Sequence, residues 1–221
     1  VSMMSHVPTA PSLYAAPTLM VAQALLGGHL IVALPGLPRV VGRIVETEGY
    51  PPGDPAYAGW RSYHAQTGQV TRTARTQALF GPPGRAYLYV VYRRHWMLNL
   101  VTEEEGRVGA VLIRAAEIME GTVAAQARRG AARTHRELAN GPGKLTQAFR
   151  LDGQFNQHPV DGPPLWVEAA KGLEEPLLQA GETVAVSTRI GLRHGTDLPY
   201  RFHIEGHPCV TPGKTNPPLK P

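Results

Sequence analysis

The sequence predicts a single α+β domain, and three observations point that way. At 221 residues the chain can bury one sizeable core without staples, and no internal repeat or low-complexity linker divides it. Strand-like and helix-like segments are mixed without the regular alternation of a doubly wound sheet. Two runs rich in β-branched and aromatic residues, 86–92 and 96–102, flank Arg93-Arg94-His95 and read as a hairpin with a cationic tip.

Taken in order, residues 1–15 carry Pro8, Pro11 and small polar side chains and read as a flexible tail, as does the proline-rich end 211–221. Pro17 starts a helix that Gly27-Gly28 ends, so 17–26 is helical. Segments 29–34 and 39–50 are strands joined through Pro35-Gly36-Leu37-Pro38. Residues 51–68 form a long loop rich in Pro, Gly, Tyr and Trp, a length that in compact domains often carries function. A short helix is expected over 73–80, closed by Gly81-Pro82-Pro83-Gly84, and a strand over 108–116 beyond the hairpin. Residues 121–129 are a helix whose last turn holds Arg128 and Arg129, complementing its dipole. Thr134-His135-Arg136-Glu137 matches a capping box and predicts another helix, which Gly141-Pro142-Gly143 breaks before 144–150. Strands at 165–169, 183–188 and 200–204 complete the reading.

Composition narrows the function. One cysteine, Cys209, excludes an internal disulfide framework and fits a reducing compartment. The apolar run 19–34 is broken by Gln23 and Gly27-Gly28-His29, and no Lys or Arg precedes it. It reads neither as a signal peptide nor as a membrane span, and the expectation is a soluble, intracellular protein. The 22 Lys+Arg against 17 Asp+Glu give +5, arginine predominating, which suits a phosphate-bearing partner.

The stretch Ile44-Val45-Glu46-Thr47-Glu48-Gly49-Tyr50 carries the chemistry. On a strand, Glu46, Glu48 and Tyr50 point to one side. Two carboxylates beside a ring are costly unless the face is open to water or the charges have a use. Periodicity alone leaves both readings open and does not choose between the acids. Gly141-Pro142-Gly143-Lys144 lacks the spacing and the hydroxyl residue of a nucleotide-binding P-loop, yet it can offer N–H groups and Lys144 to a phosphate. The histidines are scattered and Cys209 has no partner nearby, so no metal site is expected. At the hairpin tip, Tyr92 between strand and cations reads either as a ring packed on the sheet or as a wedge for a base stack.

Several motifs in one order resemble the alkyladenine (3-methyladenine) DNA glycosylase family. They are 44–50, then Asp54-Pro55-Ala56, Phe80-Gly81-Pro82-Pro83-Gly84 and Tyr87-Leu88-Tyr89-Val90-Val91-Tyr92 followed by Asn99. Val111-Leu112-Ile113-Arg114-Ala115, Gly141-Pro142-Gly143-Lys144-Leu145-Thr146-Gln147-Ala148 and Pro199-Tyr200-Arg201-Phe202 continue the match. The resemblance covers nearly everything from 18 to 210. It implies a glycosylase domain over 16–210 with a curved, mainly antiparallel sheet, peripheral helices and a protruding hairpin. It also implies base excision repair: a damaged purine flipped out of double-stranded DNA and released by hydrolysis of its N-glycosidic bond. Carried over by position, Glu48 is the general base, and Arg114 helps orient the catalytic water. Tyr50 and Tyr89 sandwich the base, Asn99 disfavours the guanine amine, and Tyr92 intercalates. Arg93, Arg94, Lys144 and Arg75 are expected at DNA phosphates. Water as nucleophile needs no cofactor, and without a lysine in the Glu48 motif no lyase step is expected. One copy suffices for a duplex, so a monomer is expected, in the cytoplasm or nucleoid of a bacterium or the nucleus of a eukaryote.

The departures are specific. Where the family has an acidic-Pro-small-small-His run with its histidine in the pocket, this chain has Asp54-Pro55-Ala56-Tyr57-Ala58, and Ala58 takes the histidine's place. His64 stands further along the loop, and lesion preference is open: 3-methyladenine, 7-methylguanine, hypoxanthine and ethenoadenine all fit. Two rival readings are a lesion-binding protein without turnover and a small-molecule nucleoside or glycoside hydrolase pairing Glu46 with Glu48. Alternate strand residues lie ~6.7 Å apart, a separation that paired-carboxylate hydrolysis can use.

Overall fold

In the computed structural model, which describes residues 9–59, 63–64, 66–67, 69–169 and 175–212, the chain begins with two short helices, α1 (Pro11–Tyr14) and α2 (Thr18–Ala24). Strands β1 (His29–Val32) and β2 (Val40–Tyr50) follow, then a 3₁₀ turn (Pro55–Gly59) and a ribbon of β3 (Tyr63–His64) and β4 (Gln69–Val70). A second 3₁₀ turn (Gln77–Phe80) leads into the hairpin of β5 (Ala86–Val91) and β6 (His95–Thr102), and then β7 (Gly109–Glu120). Helices α3 (Thr122–Arg128) and α4 (Pro142–Phe149) precede β8 (Asp161–Gly162), β9 (Leu165–Glu168), β10 (Val184–Ser187) and β11 (Arg201–Ile204). Nine of these strands make one curved antiparallel sheet in a mixed α+β domain: seven run in the order β5-β6-β7-β2-β1-β9-β8, and β11, paired with β10, joins at β2.

Strand β2 is central because both its edges are used. One edge pairs with β7 along its length. The other is shared, residues 40–43 pairing with β1 and residues 46–48 with β11, which β10 extends. Gly42 through Gly49 are buried, so β2 has no solvated face.

Two successive register shifts between β2 and β7 decide what β2 displays. Ile44 pairs with Ala116 and Glu46 with Ala115, leaving Val45 extra. Glu46 pairs with Ala115 and Thr47 with Ile113, leaving Arg114 extra on the other strand. A bulge re-aims the side chains beyond it. Before the bulges the even residues face the helical core: Ile44 lies in it, and a Cβ on Gly42 would meet the Phe149 ring at 2.7 Å. After them the odd residues do: Thr47 Oγ1 donates to Ala22 O at 2.7 Å, and a Cβ on Gly49 would lie 2.6 Å from Leu19 Cδ2. Gly49 therefore lets α2 approach β2 closely. Glu46, Glu48 and Tyr50 are turned to the opposite side.

Several boundaries differ from the sequence expectation. The expected loose end 1–15 is tied down over its described part. Thr9 N–H donates to Val167 O at 2.8 Å, and α1 buries Leu13 and Tyr14. At the other end Thr211 N–H donates to Glu46, while 213–221 lie outside the described residues. The helix expected over 73–80 shrinks to its last four residues. Thr73 and Thr76 bond each other's backbone and hydroxyl groups, an alternative to helical bonding. The capping-box segment makes only a 3₁₀ turn (His135–Glu137), Glu137 accepting from Arg133 N–H. The chain must leave helical geometry because Ala139 O accepts from Ala116 N–H and Asn140 bridges Ala115 of β7. Gly141-Pro142-Gly143 is not a breaker but the entry to α4. Gly141 O accepts from Leu145 N–H, and Pro142 stands where a missing N–H costs nothing. Strand β7 continues past residue 116 to Glu120 because its end pairs with Val41–Arg43.

Candidate active site

Glu48 is fully buried and accepts from three donors. Its Oε2 takes the Tyr50 hydroxyl at 2.8 Å and lies 3.1 Å from an Arg114 terminal nitrogen; its Oε1 takes the Ile190 N–H at 2.8 Å. Two of these come from the bulged β2–β7 pair and the third from the segment between β10 and β11.

Glu46 lies on the same side but is committed elsewhere. Its Oε1 accepts from Arg114 Nε at 2.8 Å and Arg201 Nε at 2.6 Å, and its Oε2 from Thr211 N–H at 2.7 Å. Burial opposes its charge, but Arg114, Arg201 and the Thr211 N–H outweigh that and hold its pKa below the usual carboxylate value. A carboxylate so engaged is not available as the second member of a hydrolase pair. Arg114 thus spans both acids; burial disfavours its charge, but Glu48 and then Glu46 raise its pKa beyond the free value.

The depressed Glu46 pKa has a consequence for stability. Ionised Glu46 stabilises the fold fully above the ordinary carboxylate pKa of 4.5, and that contribution is lost as pH falls through the lower folded value. The melting temperature should therefore fall as pH is lowered below about 4.5; one that stays level down to pH ~3 would contradict this linkage.

A cavity opens that is lined by Tyr50, Tyr57, Tyr87, Tyr89, Asn99 and Leu192 among others; Glu48 and Arg114 are not among its lining residues, and Glu48 is joined to it through the Tyr50 hydroxyl. Tyr50 and Tyr89, expected to sandwich a base, and Asn99 all line it. Asn99 is buried and donates from Nδ2 to Tyr87 O at 3.3 Å. Burial and then the Glu48 carboxylate push the Tyr50 phenol far above its usual pKa; burial and then Tyr87 push Tyr89 up to about 12. Both rings are therefore neutral phenols at physiological pH. Tyr57 donates to Tyr50 O at 2.9 Å and fixes the end of β2.

Ala58 falls in the 3₁₀ turn Pro55–Gly59, whose Ala56 and Tyr57 line the cavity. His64 is exposed on β3 and is not among the lining residues.

The hairpin tip carries Tyr92 at 90 % exposure, so its ring does not pack on the sheet. Tyr92 and Arg93 both have positive φ, 51° and 56°, with Arg94 N–H donating to Val91 O at 3.1 Å. That positive-φ pair is the backbone a type I′ turn requires and is normally given to Asn-Gly. Here a tyrosine and an arginine occupy those two positions. Arg94 lines a groove with His95, Arg129 and Gly143, which continues to Lys144 at the start of α4. Lys144 Nζ donates to Asn140 Oδ1 at 2.8 Å. Arg75 is not in this groove: its guanidinium sits 5.1 Å from the centre of the Tyr89 ring.

Sequence reasoning placed Asp54 in a family motif without giving it a role and did not single out Arg189. Both are fully buried, and Arg189 donates to both Asp54 oxygens, at 2.6 and 2.8 Å, and to Gly49 O at 2.9 Å. Its guanidinium also covers the Tyr50 ring at 4.6 Å and the Tyr200 ring at 5.2 Å. This pair ties the segment that supplies Ile190 N–H and Leu192 to the loop after β2. Among the described residues no group of three or more His, Cys, Asp or Glu could hold a metal ion, and no helix is long and apolar enough to cross a membrane.

The family model for methylpurine-DNA glycosylase matches residues 12–208. A protein of Salinibacter ruber is 42% identical over 206 residues, 93% of this chain and 97% of its own length. One of Carboxydothermus hydrogenoformans is 41% identical over 198 residues, 90% of this chain and 95% of its own. One of Methanocella arvoryzae is 40% identical over 204 residues, 90% and 92%. All three carry the name "Putative 3-methyladenine DNA glycosylase".

Proposed function

The chain belongs to the methylpurine-DNA glycosylase family, and we propose that it excises alkylated or deaminated purines from duplex DNA by hydrolysing the N-glycosidic bond. The observation that carries this reading is the buried Glu48 beside a tyrosine-walled cavity: the Tyr50 hydroxyl that touches Glu48 belongs to a ring lining that cavity.

In the proposed reaction the damaged base is flipped into the cavity between Tyr50 and Tyr89. Flipping costs a few kcal/mol, least for a weakly paired base. Water attacks the anomeric carbon as the glycosidic bond breaks. The bond's electron pair leaves with the base, the oxygen–carbon bond forms, and Glu48 takes the proton that water loses. The sugar passes through oxocarbenium character, so the carboxylate also stabilises positive charge. Arg114, already on Glu48, orients the carboxylate and the water. Asn99 stands where an exocyclic amine would crowd the cavity. No residue is assigned to Schiff-base chemistry, and the enzyme is read as monofunctional. It is also read as a monomer acting on one duplex. Release of purine from single-lesion duplexes by the wild-type protein tests the activity; no release from any of the four candidate lesions would overturn it.

Tyr92 is proposed to enter the base stack while Arg93, Arg94, Lys144 and the buried Arg129 meet phosphates along the groove. Burial lowers the Arg129 pKa, and its guanidinium donates to Leu138 O and to Gln147 Oε1. Tyr92→Ala should weaken binding to a lesion duplex by about tenfold, the scale of one lost base–aromatic stack. Melting should be unchanged because the ring is exposed. Unaltered affinity in a fluorescence titration would count against the wedge.

A further inference from the structure

Building on the glycosylase reading, we propose that Arg75 and Arg189 tune the base pocket toward electrically neutral damaged purines and against permanently cationic ones. Of the four tyrosines that line the cavity, the two proposed to sandwich the base each carry a guanidinium against the ring: Arg189 at 4.6 Å from the Tyr50 centroid and Arg75 at 5.1 Å from that of Tyr89. Neither arginine is among the residues that line the cavity. An aromatic face attracts a cation because its π cloud is electron-rich. A guanidinium already against the ring draws on the same cloud and leaves it less able to hold a second cation. A neutral base, stacking mainly by dispersion and exclusion of water, loses little.

The carboxylates nearby do not restore the attraction. Asp54 is held by both terminal nitrogens of Arg189, Glu48 lies against Arg114, and Glu46 is shared by Arg114 and Arg201. Each acidic charge around the cavity thus already faces a guanidinium. Arg189 is also a buried structural residue, whereas Arg75 is exposed. Arg75 is therefore the specificity-determining residue open to test.

The test uses the full chain and two duplexes, one with a single 7-methylguanine, a fixed cation, and one with a single hypoxanthine, which is neutral. Single-turnover kcat/K½ is measured on each, and the readout is the ratio of the two relative to wild type, so that the exocyclic amine of 7-methylguanine cancels. Arg75→Gln should raise the cationic-to-neutral ratio by about threefold, and Arg75→Lys, which keeps the charge, should leave it near the wild-type value. Arg94→Gln, at the phosphate groove, should lower both rates and leave the ratio unchanged. The proposal is overturned if Arg75→Gln does not raise the ratio, or if Arg75→Lys raises it equally, since packing rather than charge would then be responsible. Wild-type release of 7-methylguanine without hypoxanthine would overturn it as well. Release of neither base, nor of 3-methyladenine or ethenoadenine from matching duplexes, would sink the glycosylase reading itself, a result distinct from an unchanged ratio.

Discussion

Glu48→Gln is expected to lower base release by about 10²–10⁴-fold, the usual contribution of a positioned general base, while lesion-duplex binding stays within about threefold of wild type, since the change touches no duplex-facing group. The substitution is nearly isosteric. The amide oxygen can still accept from Ile190 N–H or from the Tyr50 hydroxyl, which now meet Glu48 at 2.8 Å each. Arg114 keeps its 2.8 Å contact with Glu46, so the guanidinium is not left alone. Lost is the capacity to accept a proton from water. Binding rests on other parts, the exposed Tyr92 and the groove at the start of α4. Single-turnover release and equilibrium titration on the same duplex separate the two effects. Turnover within tenfold of wild type would remove Glu48 from the proposed mechanism, and loss of binding together with release would point to a structural role instead.

Much of this site was legible because its signals are local. The hairpin follows from two β-branched, aromatic runs, and the union of Glu46, Glu48 and Tyr50 on one side follows from the period of a strand. What periodicity could not deliver was which side. Extended without interruption, the same alternation would put both acids on the face of Gly42 and Ile44, in the helical core. The extra residues Val45 and Arg114 turn the acids away from it, and a bulge has no composition signature of its own. Arg114 was accessible only through the resemblance.

The supports of the site were illegible for a different reason. Arg189 meets Asp54 across 135 residues and Arg201 meets Glu46 across 155, and no local pattern encodes a pair that distant. Arg75 was expected at phosphates; its place 5.1 Å from the centre of the Tyr89 ring is a contact that no local pattern encodes. Residues 9–15 failed on length: a four-residue helix with two buried side chains is too short to show a period.

Arg114→Met is expected to produce the largest loss of stability among the site variants, because one guanidinium serves two fully buried carboxylates. Removing one partner of a buried pair costs about 3–5 kcal/mol, chiefly through the charge left behind. For a chain of this size each kcal/mol moves the melting temperature by roughly 2–4 °C, so a drop on the order of 6–20 °C follows. Glu46 keeps Arg201 and the Thr211 N–H, so the penalty falls mainly on Glu48, left with the Tyr50 hydroxyl and the Ile190 N–H. Base release should fall as well, since a reoriented Glu48 no longer faces the water. Arg114→Lys should recover only part of both losses: a single ammonium cannot reproduce contacts made by Nε to Glu46 and by a terminal nitrogen to Glu48 at the same time. Combining Arg114→Met with Glu48→Gln gives the sharper measurement. If the uncompensated Glu48 charge is the cause, neutralising it should return part of the lost melting temperature, and the two changes will be non-additive. Additive losses, or a melting temperature for Arg114→Met within about 2 °C of wild type, would mean that the Glu48 carboxylate does not depend on Arg114 for its place in the fold.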